Sequence, residues 1–120
     1  PMSPGMKYKH YAPEVPLWLI EGEVEQIQAV IKEEQKKGKR VGLLASKDLA
    51  EKLEADDKQS LGDSIDTVAA QLYDGLRYFK QTKVDLIICE AFPEKGIGQA
   101  VMNRLKKAAT RSINLSTRLS

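Results

Sequence analysis

Apolar positions along the chain alternate between two spacings. Unbroken apolar runs occur at residues 17–20 (Leu-Trp-Leu-Ile), at 41–45 (Val-Gly-Leu-Leu-Ala) and, most densely, within 84–92; between them apolar residues fall three or four positions apart. A short unbroken run suits a parallel strand covered on both faces, whereas the three-and-four spacing gathers side chains on one stripe of a helix. The pattern predicts a strand at 17–20, closed by Glu21 and Gly22, then a helix from Glu23 to near Gly38 with Val24, Ile27, Val30 and Ile31 inward. A strand at 41–45 leads through Ser46, a suitable cap, into a short helix at 47–58 carrying Leu49, Ala50 and Leu53. Residues 56–59 read as an exposed turn and 60–62 as a brief third strand. A long helix follows, capped by Asp63 or Ser64, with Ile65, Val68, Ala69, Leu72, Leu76 and Phe79 on one face. The strand at 84–92 stops at Phe92-Pro93, and a last helix at 97–109 turns Ile97, Val101, Leu105 and Ala108 inward. Residues 111–120 carry isolated leucines without a period and are expected to be irregular.

Local charge supports these limits. Glu21, Glu23 and Glu25 crowd the start of the first helix and Lys36 and Lys37 its end, which complements the helix dipole. Strands alternating with helices, each strand nearly all apolar, indicate an α/β fold: a small Rossmann-like three-layer domain with a parallel sheet of about four strands and right-handed crossovers. The strand at 84–92 belongs at the centre because it is the most apolar. The chain divides into an extended segment (1–16), the Rossmann-like domain (17–110) and an irregular tail (111–120), without internal repeats.

Composition narrows the classes further. A chain of 120 residues, 42% hydrophobic and 30% charged, suits one globular domain with its own core. No apolar run reaches membrane-spanning length. The net charge of +2 provides no global field toward nucleic acid or lipid, so direct RNA contact is not expected unless it is local. Cys89 is the only cysteine, so no intramolecular disulfide forms, and with one histidine no zinc constellation is available; a cytoplasmic setting is expected. The start at Pro1-Met2-Ser3 suggests a piece of something longer.

Candidate chemistry is concentrated at three places. Gly96-Ile97-Gly98 follows the end of a parallel strand, where open α/β sheets bind ligands, but it lacks the third glycine and the lysine of phosphate-binding fingerprints, and Glu90 and Glu94 oppose an anion. Its other reading is a loosened turn. Asn103 and Arg104 are polar positions of the last helix, suited to solvent or to contact with another domain; Lys106 and Lys107 extend that basic face. Cys89 and Trp18 read as core. The richest stretch is residues 3–13, Ser-Pro-Gly-Met-Lys-Tyr-Lys-His-Tyr-Ala-Pro, where Pro4, Gly5 and Pro13 interrupt any regular ladder. Tyr8 and Tyr11, interleaved with Lys7, Lys9 and His10, suit a phosphate or carboxylate ligand or an aromatic stacking surface, and equally suit packing on the segment's own domain. His10 has no nucleophile or carboxylate at a diagnostic spacing.

That stretch resembles the interdomain linker of the two-domain threonylcarbamoyl-AMP synthases. The resemblance continues through Leu61-Gly62, the helix with Ala69, Leu72 and Leu76-Arg77, Val84-Asp85, and residues 94–109 with Met102-Asn103-Arg104-Leu105, which are similar to that family's C-terminal domain. It implies a parent nucleotidyltransferase that makes threonylcarbamoyl-AMP and pyrophosphate from ATP, L-threonine and bicarbonate, for threonylcarbamoyladenosine in tRNA. The YrdC-like catalytic domain, with its ATP and magnesium, is absent from this chain, so the fragment is expected to be inactive alone and to bind no cofactor. The resemblance further implies that Ser3, Pro4, Gly5, Met6, Lys7, Tyr8, His10 and Tyr11 form a lid over the nucleotide pocket of that domain, which gates it. The alternative is a stand-alone Rossmann-like module that binds a nucleotide or a protein.

Overall fold

In a computed structural model, which describes residues 15–116, strand and helix alternate from end to end. The elements are β1 (Leu17–Glu21), α1 (Val24–Lys36), β2 (Val41–Ala45), α2 (Lys47–Lys52), β3 (Asp57–Ser60), α3 (Ile65–Lys80), β4 (Leu86–Glu90), α4 (Ile97–Ala108) and β5 (Arg111–Asn114). The strands form one parallel sheet in the order β3-β2-β4-β1-β5. β4 is central, as its apolar density predicts: Leu86, Ile87, Ile88 and Cys89 are all buried.

Alternation along each strand sorts side chains between two cores. Leu17, Leu19, Leu44, Ile87 and Cys89 face α3 and α4, which contribute Val68, Leu72, Phe79, Val101, Met102 and Leu105. Ile20, Val41, Leu43, Ala45, Leu86 and Ile88 face the other way, against Ile27 and Ile31 of α1, Ala50 of α2 and Leu53 just beyond it. The fully buried Phe79 ring lies over Gly42, where an added Cβ would come within 2.5 Å of it. A glycine in the middle of a strand is therefore required by the approach of the helix.

Several expectations need correction. The sheet has five strands because the stretch expected to be an irregular tail supplies β5, which pairs with β1 from Trp18↔Arg111 to Glu21↔Asn114. Ile113 and Leu115 pack on the α1/α2 side, and the Arg111 guanidinium sits 4.6 Å from the Trp18 ring centroid. The third strand is Asp57–Ser60, mostly in the 56–59 stretch expected to be a turn and meeting the strand expected at 60–62 only at Ser60; it pairs with β2 from Gly42↔Asp57 to Ala45↔Ser60, and only afterwards does Leu61 enter the core. α2 ends at Lys52 because Leu53 is already extended. On the helices, Ala69, Ile97 and Ala108 are exposed; Gly98, Val101, Met102 and Leu105 form the buried stripe of α4.

Polar side chains secure the connections. Ser64 Oγ accepts from the Thr67 N–H at 3.2 Å while Thr67 Oγ1 accepts from the Ser64 N–H at 3.1 Å, a reciprocal cap on α3. Asp56 Oδ2 accepts from the Val41 N–H at 2.8 Å and from Gln35 Nε2 at 2.9 Å, tying the entry of β3 to β2. The Gln35 bond, seconded by the Val41 N–H, holds the Asp56 carboxyl below its usual range. Glu34 is buried at the end of α1 yet meets Lys39 at 2.9 Å and Lys37 at 3.2 Å. Its hydrogen bond to Lys39 lowers the carboxyl pKa, against the opposing effect of burial.

Candidate functional site

Connections from β2 and β4 leave in opposite directions on opposite faces, so the crevice between their C-terminal ends is the place where a doubly wound sheet normally takes a ligand. Here the chain closes it. Glu90 Oε1 accepts the Ser46 N–H at 2.8 Å, and the Lys47 N–H donates to the Gly62 carbonyl at 2.9 Å. The glycine turn before α4 is similarly engaged: the Gly98 N–H donates to Lys95 O at 3.0 Å and the Gln99 N–H to Gly96 O at 3.1 Å. Gly96 has φ +59, and a Cβ at Gly98 would lie 2.1 Å from the Pro93 carbonyl oxygen. These glycines serve a tight turn and a close approach, and the Gly98 and Gln99 N–H groups, which a phosphate at this helix start would draw on, already have partners.

Cys89 and Trp18 sit as a core reading predicts, with one refinement. Cys89 is fully buried, its thiol pushed up by burial, and Sγ donates weakly to the Glu90 carbonyl at 3.4 Å; the thiol is protected and inert. Trp18 is half-buried, and the Lys39 ammonium lies 5.7 Å from its ring centroid in addition to Arg111.

The open surface lies at the other end of the sheet. A groove of about 770 Å³ runs between α3 and α4 beside the starts of β1 and β4. Buried Leu17 and Ile87 and half-buried Val15 and Leu76 supply its apolar lining. α3 contributes Tyr73, Arg77 and Lys80; α4 contributes Asn103, Arg104 and Lys107. The Arg77 guanidinium is 5.5 Å from the Tyr73 ring centroid. Arg77, Lys80, Arg104 and Lys107 make the described lining of this groove cationic.

Asn103 and Arg104, the two positions expected to contact another domain, thus share one groove. Lys106 does not join them: it pairs with Glu94 at 2.9 Å, so the basic face of α4 is split. Sequence reasoning missed the α3 wall, although Tyr73, Arg77 and Lys80 follow one another at helical same-face spacing, as do Ala100, Asn103, Arg104 and Lys107. Ser3, Pro4, Gly5, Met6, Lys7, Tyr8, His10 and Tyr11 lie outside the described residues.

Fold and surface define a doubly wound α/β domain whose switch point is closed by its own side chain and whose open groove adjoins its entering strand. The family model for the threonylcarbamoyl-AMP synthase C-terminal domain matches residues 1–110, and the chain belongs to that family. The threonylcarbamoyl-AMP synthase of Bacillus subtilis (strain 168) is 53% identical over 111 residues, covering 91% of this chain and 32% of that protein. That of Pyrococcus abyssi is 41% identical over 114 residues, covering 89% and 32%. The chain thus spans about a third of the length of these curated relatives. The crystal structure of P. abyssi Sua5 complexed with L-threonine superposes with a TM-score of 0.76 at 37% identity, over 94% of this chain and 34% of that one. The C-terminal Sua5 domain from Pyrococcus horikoshii, solved as a separate chain, superposes with a TM-score of 0.68 at 34% identity, over 86% of this chain and 99% of that one.

Proposed function

We propose that this chain is the linker and accessory domain of a threonylcarbamoyl-AMP synthase, and that residues 3–11 gate the active site of the catalytic domain. The observation that carries the reading is the span of the family match, residues 1–110, which includes the linker motif as well as the domain. The fold supports it: the chain passes from Val15 directly into β1, which is hydrogen-bonded on both sides to β4 and β5. β1 thus gives a segment attached there a rigid anchor. In this reading the catalytic domain binds ATP, magnesium, L-threonine and bicarbonate, and joins them into threonylcarbamoyl-AMP and pyrophosphate in the cytoplasm, for later use in tRNA modification. That the P. abyssi relative was solved with L-threonine fits the substrate. Tyr8, His10 and Tyr11, with Lys7 and Ser3, Pro4, Gly5 and Met6, close over the nucleotide, shield the labile mixed anhydride from water, and then open for release.

The experiment has two arms. The 120-residue chain, given ATP, L-threonine and bicarbonate, is expected to release no pyrophosphate above background, and sustained turnover would refute the reading. In the full-length synthase, Tyr8→Ala and Tyr11→Ala are each expected to lower the rate by at least tenfold with unchanged melting; unchanged kinetics in both would reduce the segment to a tether. A stand-alone nucleotide module is disfavoured because the switch-point donors are engaged, and calorimetry with ATP on this chain is expected to show no binding.

A further inference from the structure

The root of the leading segment is built to hold one direction. Val15 precedes Pro16, so its backbone is confined to extended conformations, Pro16 itself has a fixed φ, and the β-branched Val15 side chain has few rotamers. The fold then grips three successive residues. The Val15 side chain is half-buried against the core, where it lines the α3/α4 groove with Leu17, Leu76 and Ile87. The Pro16 carbonyl accepts the Ile87 N–H of β4 at 2.9 Å; on the β5 side the Leu17 carbonyl accepts the Thr110 N–H at 2.8 Å and the Thr110 hydroxyl at 3.2 Å. Pro16 is exposed, so a proline there fills no cavity. What it supplies is stiffness.

We propose that Val15 and Pro16 are positioning residues of the synthase, which aim residues 3–11 at the catalytic domain; this rests on the reading of that segment as the gate of the active site. The lever is long. Tyr8 and Tyr11 stand seven and four residues upstream of Val15, at most about 25 Å and about 14 Å away. A swing of about 10° at the root displaces a group 25 Å away by about 4 Å, whereas a misplacement of about 1 Å at a reacting centre already costs about a hundredfold in rate. An arm with a loose root searches a wide volume before each closure; two restricted backbones and a seated side chain remove most of that search in advance. An ordinary strand start needs none of this. Leu17 already fills the core at the first position of β1, while Val15 and Pro16 lie outside the strand, and still one is seated and the other stiff.

The test uses the full-length synthase and measures pyrophosphate release together with the yield of threonylcarbamoyl-AMP per pyrophosphate. Val15→Ala and Pro16→Ala are each expected to lower kcat/KM by about fivefold or more and to lower that yield, since a misdirected gate lets water reach the anhydride. Val15→Ile, which keeps a branched side chain and for which the groove has room, is expected to restore both; thermal melts check that each variant is folded at the assay temperature. A double-mutant cycle separates aiming from mere support. In the Tyr8→Ala background, Val15→Ala is expected to cost less than about twofold, because both changes act through the same segment. Wild-type kinetics in Val15→Ala and Pro16→Ala overturn the proposal, and so does a loss in Val15→Ala that is equally large with and without Tyr8→Ala. The two readings fail differently: slow Tyr8→Ala and Tyr11→Ala beside silent root variants leave the gate and remove its aiming, whereas silent Tyr8→Ala and Tyr11→Ala remove the gate and the aiming with it.

Discussion

Gly98 is the second residue of α4, and a methyl group there would sit 2.1 Å from the Pro93 carbonyl oxygen and 3.3 Å from its carbon. Ordinary carbon–oxygen contact requires the oxygen to retreat by about 1 Å, and it belongs to backbone, not to a side chain that can swing away. The loop has little room, because the neighbouring Phe92 is buried and its N–H points to Met102 Sδ at 3.3 Å. Overpacking of this kind costs about 1–3 kcal/mol, while alanine recovers at most about 1 kcal/mol of helix propensity over glycine. Gly98→Ala should therefore destabilise the domain by about 1–2 kcal/mol, which for a domain of this size lowers Tm by about 5–15 °C. Thermal melts followed by circular dichroism, with urea midpoints as a second measure, read the effect. Gly96→Ala separates the two glycines: nothing lies within 4 Å of its added Cβ, so its cost of about 1–3 kcal/mol comes from φ +59 alone. If Gly98→Ala melts at or above the wild-type temperature, the close approach is not what the glycine serves. A ligand approaching the turn would then become the better explanation.

Three further outcomes follow from the core and its charges. Glu34→Gln is expected to cost about 1–2 kcal/mol at neutral pH, a value discounted because Lys37 and Lys39 are 57% and 41% exposed. Since the folded pKa is lowered, that contribution is fully present above the unfolded carboxyl pKa and is lost as pH falls through the folded value; urea midpoints of wild type and variant should converge in acid below the ordinary carboxylate range. Phe79→Ala removes the fully buried ring that covers Gly42 and should cost about 3–5 kcal/mol, most of a small domain's margin. Gly42→Ala should be harmful beside Phe79 and milder beside Phe79→Leu, a coupling that a double-mutant cycle in urea measures.

The legible parts of the fold were those with their own period. α1, α3, β1, β2 and β4 announced themselves because a buried stripe or a doubly covered strand needs apolar residues at fixed spacing. β3 and β5 did not. Asp57–Ser60 and Arg111–Asn114 are polar edge strands, held by parallel hydrogen bonds to one neighbour on the inner side. Nothing in their composition separates them from a turn or a tail. The linker motif was legible as chemistry and as a resemblance, and the family match agrees with that resemblance. The groove was half legible: Asn103 and Arg104 stood out as polar positions, but Tyr73 and Arg77 on α3 looked like ordinary solvent-facing residues.

What the sequence by itself determined was the order of strands and helices, the centrality of β4 and the family. Each depends on residues close together in the chain, or on one continuous motif. What the tertiary structure decided was the fifth strand, the closure of the switch point by Glu90 on Ser46, and the meeting of Arg77 with Arg104 across one groove. These join residues far apart in sequence, brought together by the burial of two apolar helix faces on one sheet. No local pattern encodes such a meeting, because the energy that makes it comes from the core and not from the residues that meet.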